Sequence, residues 1–211
     1  MFKKLEKPSM ITAVCLLACL LGASCSGAKA EEYDRKRETI REINEAIIGR
    51  ISGKSYTNDY FGFEFTIPEG WKKVYSMDEM MKLNKFLNGI DKSNEVSFEG
   101  KEVLNIFLAM QSTSPTSSQI SIIVELPDNI VTLKEYVEKS IADIKDTNLF
   151  SAIKEVKLGN KSVICVESTT IKGNSEKAYC FESNGYMGFI STIDNKENDS
   201  IENFIKSIKF K

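Results

Sequence analysis

Few residues in this chain have types and spacings that could do chemistry. The run Gly49-Arg50-Ile51-Ser52-Gly53-Lys54-Ser55 has the composition of a phosphate-binding loop, in which backbone N–H groups and a Lys cradle a nucleotide's phosphates. Its spacing does not fit. Three residues separate the glycines where such a loop needs four, and the run ends a helical pattern and enters a strand pattern. Cys165 and Cys180 sit on consecutive expected strands. A two-residue turn at Gly173-Asn174 sets Cys165 opposite Glu182 and Cys180 opposite Glu167, so the thiols become diagonal neighbours on one face. The other face then carries Ile164, Val166, Tyr179 and Phe181 as a core side. A turn one residue longer or shorter would put the thiols on opposite faces. An oxidising compartment permits a disulfide between them, although a diagonal Cα separation is long for one. Two free buried thiols are the competing reading. A metal or redox pair is a third, and two Cys without His make a poor site. Asp194, Glu197 and Asp199 cluster, as do Asp143 and Asp146. They lack the regular oxygen spacing and turn Gly of a calcium loop and read as solvated caps and loops.

Composition removes whole classes of function. The chain of 211 residues holds 28 Lys+Arg, 30 Asp+Glu, five Cys, one Trp and no His. Without His there is no His-based catalytic triad, no His-ligated zinc and no imidazole base near neutral pH. A net charge of −2 gives no electrostatic drive toward nucleic acid. No residue set suggests a cofactor. At this length one domain is expected.

The N-terminus carries an address. Lys3, Lys4 and Lys7 form a positive segment, and Met10 to Leu21 is an apolar run of twelve, the length of a signal-peptide core and too short to cross a bilayer. Gly22-Ala23-Ser24-Cys25 follows, and small residues before a Cys resemble a bacterial lipobox. Residues 1–24 are therefore expected to be removed and Cys25 to carry a diacylglyceryl thioether. Cys19 after Leu16-Leu17-Ala18 is a competing site that would leave a very short apolar core. Ordinary secretory cleavage near Ala28-Lys29-Ala30 is the other alternative, and it shares the exported destination. Two or more acyl chains hold a protein stably at a membrane. The chain from Cys25 has 25 basic and 29 acidic residues, with no basic face for anionic lipid.

The remaining pattern describes the elements that would position any site. Residues 25–54 read as anchor, short polar tether to about Tyr33, and an amphipathic helix whose stripe is Ile40, Ile43, Ile47, Ile48 and Ile51, ending at Gly49 and Gly53. The folded domain is expected over 55–211. Tyr60 to Ile67 reads as a strand stopped by Pro68-Glu69-Gly70. Ser76-x-x-Glu79 and Thr132-x-x-Glu135 are capping boxes that each start a helix. Val103–Met110 and Ile120–Leu126 read as strands. So do 153–158, 162–171, 177–183 and 186–193, a meander with turns at Gly159-Asn160, Gly173-Asn174 and Asn184-Gly185. Ser200 opens a last helix bearing Ile201, Phe204, Ile205 and Ile208. Helices and strands are segregated, which predicts an α+β fold with a mainly antiparallel sheet.

The stretch Tyr60-x-Gly62-Phe63-x-Phe65-x-Ile67-Pro68-x-Gly70-Trp71, a hairpin-rich second half and a final helix leading to Ser207-Ile208-Lys209-Phe210 resemble the PsbP-like superfamily, which includes DcrB-type bacterial lipoproteins. The likeness spans roughly residues 55–211. It implies an α/β/α sandwich around a central antiparallel sheet and an accessory or binding role, not catalysis. Its matched residues are structural: Phe63 and Trp71 as core anchors, Pro68 as the strand stop, and Gly70 in a turn closed to residues with a Cβ. No catalytic residue carries over.

The sequence thus predicts an exported, lipid-anchored, non-enzymatic protein on the extracytoplasmic face of the cell membrane. It would bind an envelope protein or a small ligand and no nucleic acid. The alternative is a small envelope hydrolase with a carboxylate or Ser site, which would need a pocket with convergent carboxylates or an activated Ser. A small-ligand carrier would need a cavity.

Overall fold

A computed structural model describes residues 26–90, 96–112, 117–129, 131–142, 149–170, 173–195 and 200–211. The chain divides into two compact units, Met1–Glu38 and Thr39–Lys211. Helix α1 spans Ser26–Ile48. The polar tether expected over 26–33 is therefore helical, as Ala28, Lys29, Ala30, Glu31 and Glu32 all favour helix. The boundary expected at 54/55 also moves. The last turns of α1 belong to the folded unit, with Asn44, Ile47 and Ile48 buried.

The C-terminus of α1 shows why. Gly49 takes φ 79°, and a Cβ there would meet the Tyr56 hydroxyl at 2.7 Å. The Tyr56 hydroxyl donates to Ile48 O at 2.6 Å, and Asn58 Nδ2 donates to Ile47 O at 2.9 Å. Two carbonyls that a helix end leaves unpaired are thus closed by side chains from the next strand. Asn58 Oδ1 also accepts from Phe61 N, so this fully buried amide is satisfied on both sides.

Eleven strands form two antiparallel sheets among the described residues. The smaller contains β1 (Arg50–Ser52), β2 (Ser55–Asn58), β3 (Phe63–Thr66) and β11 (Lys209–Phe210), in the order β1-β2-β3-β11. The larger contains β4 (Lys73–Val74), β5 (Val103–Met110), β6 (Gln119–Glu125), β7 (Phe150–Leu158), β8 (Lys161–Thr169), β9 (Ser175–Ser183) and β10 (Tyr186–Asp194), in the order β4-β5-β6-β10-β9-β8-β7. Helices α2 (Met77–Leu87) and α3 (Leu133–Ser140) start at the two expected capping boxes. Helix α4 spans Ser200–Ser207. The fold is α+β with a mainly antiparallel sheet. The small sheet was not legible in the sequence, because its strands of two to four residues are shorter than one alternation pattern.

The large sheet carries packed elements on both sides, more on the inner face than on the outer. Its inner face packs on the small sheet, α2 and α4 through Phe63, Phe65, Met80, Phe107, Ile122, Phe181 and Phe204. Its outer face packs on α3 through Val137 and Ile141 against Val166 and Cys180. β4 covers only one end of the β5 edge. Further along, Asn84 of α2 clamps Asn105, donating from Nδ2 to Asn105 O at 2.7 Å and accepting from Asn105 N at 2.8 Å. Asn88 donates to Val103 O. Helix side chains thus stand in for a strand on an open edge.

This two-sided burial decides the cysteines. The β8–β9 register sets Cys165 opposite Tyr179 and Ile164 opposite Cys180. The connection runs from Thr170 to Asn174 and is longer than the two-residue turn expected. The thiols therefore point to opposite faces, Cys165 into the inner core and Cys180 under α3. The proposed disulfide between Cys165 and Cys180 is ruled out by this parity, and both are free and buried. The single core side expected for Ile164, Val166, Tyr179 and Phe181 is likewise two different faces. Burial pushes the Cys180 thiol up to about 12 and raises that of Cys165.

Two outcomes follow from these contacts. In a Cys25→Ala mature chain, Ellman's reagent at neutral pH should find no fast-reacting thiol in the native state and two after denaturation, with mobility on gels independent of reductant. Rapid native labelling of either Cys would contradict the burial. Asn84→Ala leaves the Asn105 N–H and C=O without their partner and should lower the unfolding free energy by about 1–3 kcal/mol, read from denaturant midpoints at unchanged m-value. An unshifted midpoint would show that the clamp contributes nothing.

Candidate functional site

Cys25 and the residues before it lie outside the described residues. Of the motif residues, Phe63 is fully buried beneath the sheet, and Gly70 has φ 78°, where a Cβ is strained. Pro68 follows the end of β3. Trp71 is half-buried against the core, and its Nε1 has no hydrogen-bond partner among the described residues. Phe63 and Trp71 thus belong to the main core. Gly49–Ser55 forms the end of α1 and the β1–β2 hairpin, without the strand-to-helix geometry that binds phosphate. Among the described residues, no group of three or more Cys, Asp or Glu is placed to hold a metal ion.

Two concave regions carry polar side chains. The first lies where α3 meets the ends of β5 and β6, a cleft of about 440 Å³ with Glu102, Glu125, Asp128, Glu135, Tyr136 and Lys139 among its lining residues. The Tyr136 hydroxyl donates to Glu125 Oε2 at 2.5 Å. Burial and that carboxylate raise the phenol above its usual value. Glu135 is committed to the α3 capping box. The Thr132 backbone N–H and hydroxyl donate to it and hold its carboxyl below the usual range. A general acid needs the opposite shift.

The second is a groove at one end of the inner face of the large sheet. Alternate residues of β9, Ser175, Lys177 and Tyr179, share that face with Thr192 and Asp194 of β10. Helix α4 forms the wall with Ile201, Glu202 and Ile205, enclosing about 280 Å³. An adjoining hollow of about 340 Å³ shares Ser175 and Lys177 and reaches Ser151, Glu167 and Thr169. Glu167 Oε1 lies 2.8 Å from Lys154 Nζ and 3.3 Å from Lys177 Nζ, and the Lys154 hydrogen bond holds the carboxyl low. Tyr179 is only 9% exposed, and burial pushes its phenol up to about 12.

Sequence reasoning assigned Tyr179 to the core, took Lys177 as the start of a strand and left Ser175 outside it. The available signal was the alternation itself: the face that carries Phe181 and Tyr179 turns polar at Lys177 and Ser175. This lining offers hydroxyls, one ammonium and two carboxylates. A third hollow, of about 660 Å³, lies on the outer side of α2 around Met81, Leu83 and Phe86, and Phe86 is 76% exposed.

No protein-family model matches the chain, and no curated protein matches it. A solved structure from Bacteroides thetaiotaomicron VPI-5482 is similar at 13% identity over 76% of this chain, with a TM-score of 0.41. The chain spans about half the length of that protein, 49% of it.

Proposed function

We propose that the chain is an exported lipoprotein of the PsbP-like kind, anchored through acyl chains on Cys25 at the extracytoplasmic face of the membrane, whose folded domain binds a ligand or envelope partner and does no chemistry. The observation that carries this reading is the N-terminal series of Lys3, Lys4 and Lys7, the apolar run Met10–Leu21 and Gly22-Ala23-Ser24-Cys25. It is compatible with the described residues, in which no helix is long and apolar enough to cross a membrane. The polar groove beneath α4 supports a binding role. A small envelope hydrolase is the rival, and its natural place is the carboxylate cleft beside α3. Against it stand Glu135 held low by its cap and the absence of His from the chain.

Replacing Cys25 tests the anchor directly. Cys25→Ala should abolish labelling by a clickable palmitate analogue and shift the protein from the membrane pellet to the soluble exported fraction. A Cys25→Ala protein that still takes up label would move the lipidated residue elsewhere. One that stays uncleaved in the pellet would make the apolar run the anchor.

A further inference from the structure

The two sheets end in edges of unlike kind. In the small sheet the edge strands β1 and β11 have three and two residues. In the large sheet the β5 edge is occupied by β4 and by Asn84 and Asn88 of α2. The opposite edge is β7, nine residues long and without Pro, which pairs with β8 alone among the described residues. After an irregularity between Phe150 and Ala152, its pairing on β8 runs unbroken from Ala152 to Leu158. Every second residue of that run turns a backbone N–H and C=O outward, a row that another strand can bond. Lys on an edge strand repels such a partner, and β7 carries Lys154 and Lys157. Lys154, however, is held by Glu167, with Nζ 2.8 Å from Oε1, on the Cys165 face of the sheet with Val156. The Ile164 face carries Ile153, Glu155 and Lys157, all exposed, and its two charges are of opposite sign.

We propose that β7 pairs antiparallel with β7 of a second copy of this chain, about a two-fold axis at Val156, joining two large sheets into one. A two-fold axis through a continuous antiparallel sheet keeps every side chain on its own face, so it must pass through a residue position. An axis at Lys154, Glu155 or Lys157 sets a charge against its own copy, which is destabilising. An axis at Ile153 runs the pairing into the irregular stretch at Phe150, and one at Leu158 runs it off the end of the strand. At Val156 the conflicts vanish. Glu155 of each copy faces Lys157 of the other, twice over, while Val156 faces Val156 and Lys154 faces Leu158. Opposite charges directly across an antiparallel pair stabilise it, so the same residues that deter a foreign strand admit this one in a single register.

The pairing can be read in whole cells from the full-length protein, whatever Cys25 carries. Opposite positions of an antiparallel pair are close enough for a disulfide. Val156→Cys, oxidised with membrane-permeant diamide, should therefore run as a reductant-sensitive dimer on gels. The wild-type chain should give only background, and so should Ile153→Cys, which lies on the same edge but faces Gly159. In the Val156→Cys background, Glu155→Lys or Lys157→Glu should each cut the dimer about tenfold, since two attractive pairs become repulsive. The double variant should restore it. Co-expression of the two single variants should restore it too, because opposite charges again face each other across the axis. A Val156→Cys dimer no stronger than background, with Cys165 and Cys180 still shielded from Ellman's reagent, would overturn the pairing. Charge variants that leave the dimer unchanged, or single variants that fail to complement each other, would do the same. So would a purified Cys25→Ala mature chain, with no added Cys, that sediments as a monomer at its highest soluble concentration.

Discussion

The ring of Phe65 lies 4.8 Å from that of Tyr56, 4.9 Å from Phe107 and 4.9 Å from Phe204, centroid to centroid. These contacts join β3 to β2, to the large sheet and to α4 at one point. Phe63 extends the cluster to Phe181 at 5.6 Å and Phe210 at 5.8 Å, bringing in β9 and β11. Each ring contributes roughly 1.5–3 kcal/mol by leaving water, and edge-to-face pairs add about 0.5–1.5 kcal/mol. The small sheet has strands too short to stand alone. It persists because its inward residues are these aromatics. Even the backbone yields to them: Gly188 sits where a Cβ would meet the Phe181 ring at 2.2 Å.

What the aromatic layer covers and what it leaves open defines the rest of the molecule. Over β5, β6 and the near half of β9 and β10 its side chains are buried, and the Lys161 ammonium lies over the Phe181 and Phe210 rings, 5.6 and 4.9 Å from their centroids. Beyond Tyr179 the sheet continues with no aromatic lid, and the side chains become hydroxyls, Lys177 and carboxylates. The groove at that boundary has Ile201 and Ile205 of α4 on its wall and polar side chains of β9 and β10 on its floor. The outer face has a smaller core beneath α3, and in the cleft beside it the half-buried Glu125 accepts from Tyr136 and the exposed Glu135 is held by its helix cap.

Much of the fold was legible because it depends on local rules. Ser76 with Glu79 and Thr132 with Glu135 fixed two helix starts through bonds within one turn. Asn184-Gly185 fixed a hairpin through positive φ at both residues, 51° and 78°. The buried asparagines were not legible. Asn44, Asn58 and Asn84 act on Phe98, Ile47 and Asn105, and nothing in a sequence separates them from solvated Asn in turns. β1, β2 and β11 were missed because strands of two to four residues are too short to show alternation, and β11 also pairs with β3 far away in the chain. The register of β9 on β8 was misjudged because turn length controls parity. Three positions of register difference sent Cys165 and Cys180 to opposite faces.

The sequence by itself determined the α+β class, the helix starts at the two capping boxes and the exclusion of His chemistry. Each of these is a property of composition or of neighbours a few residues apart. Only the tertiary structure decided that both faces of the large sheet carry a packed core, that the thiols are separated by the sheet, and that Tyr179, Lys177, Asp194 and Glu202 share one groove. Those residues meet through strand register and the placement of α4 over the sheet. Such contacts form between segments whose separation along the chain carries no record of their distance in space.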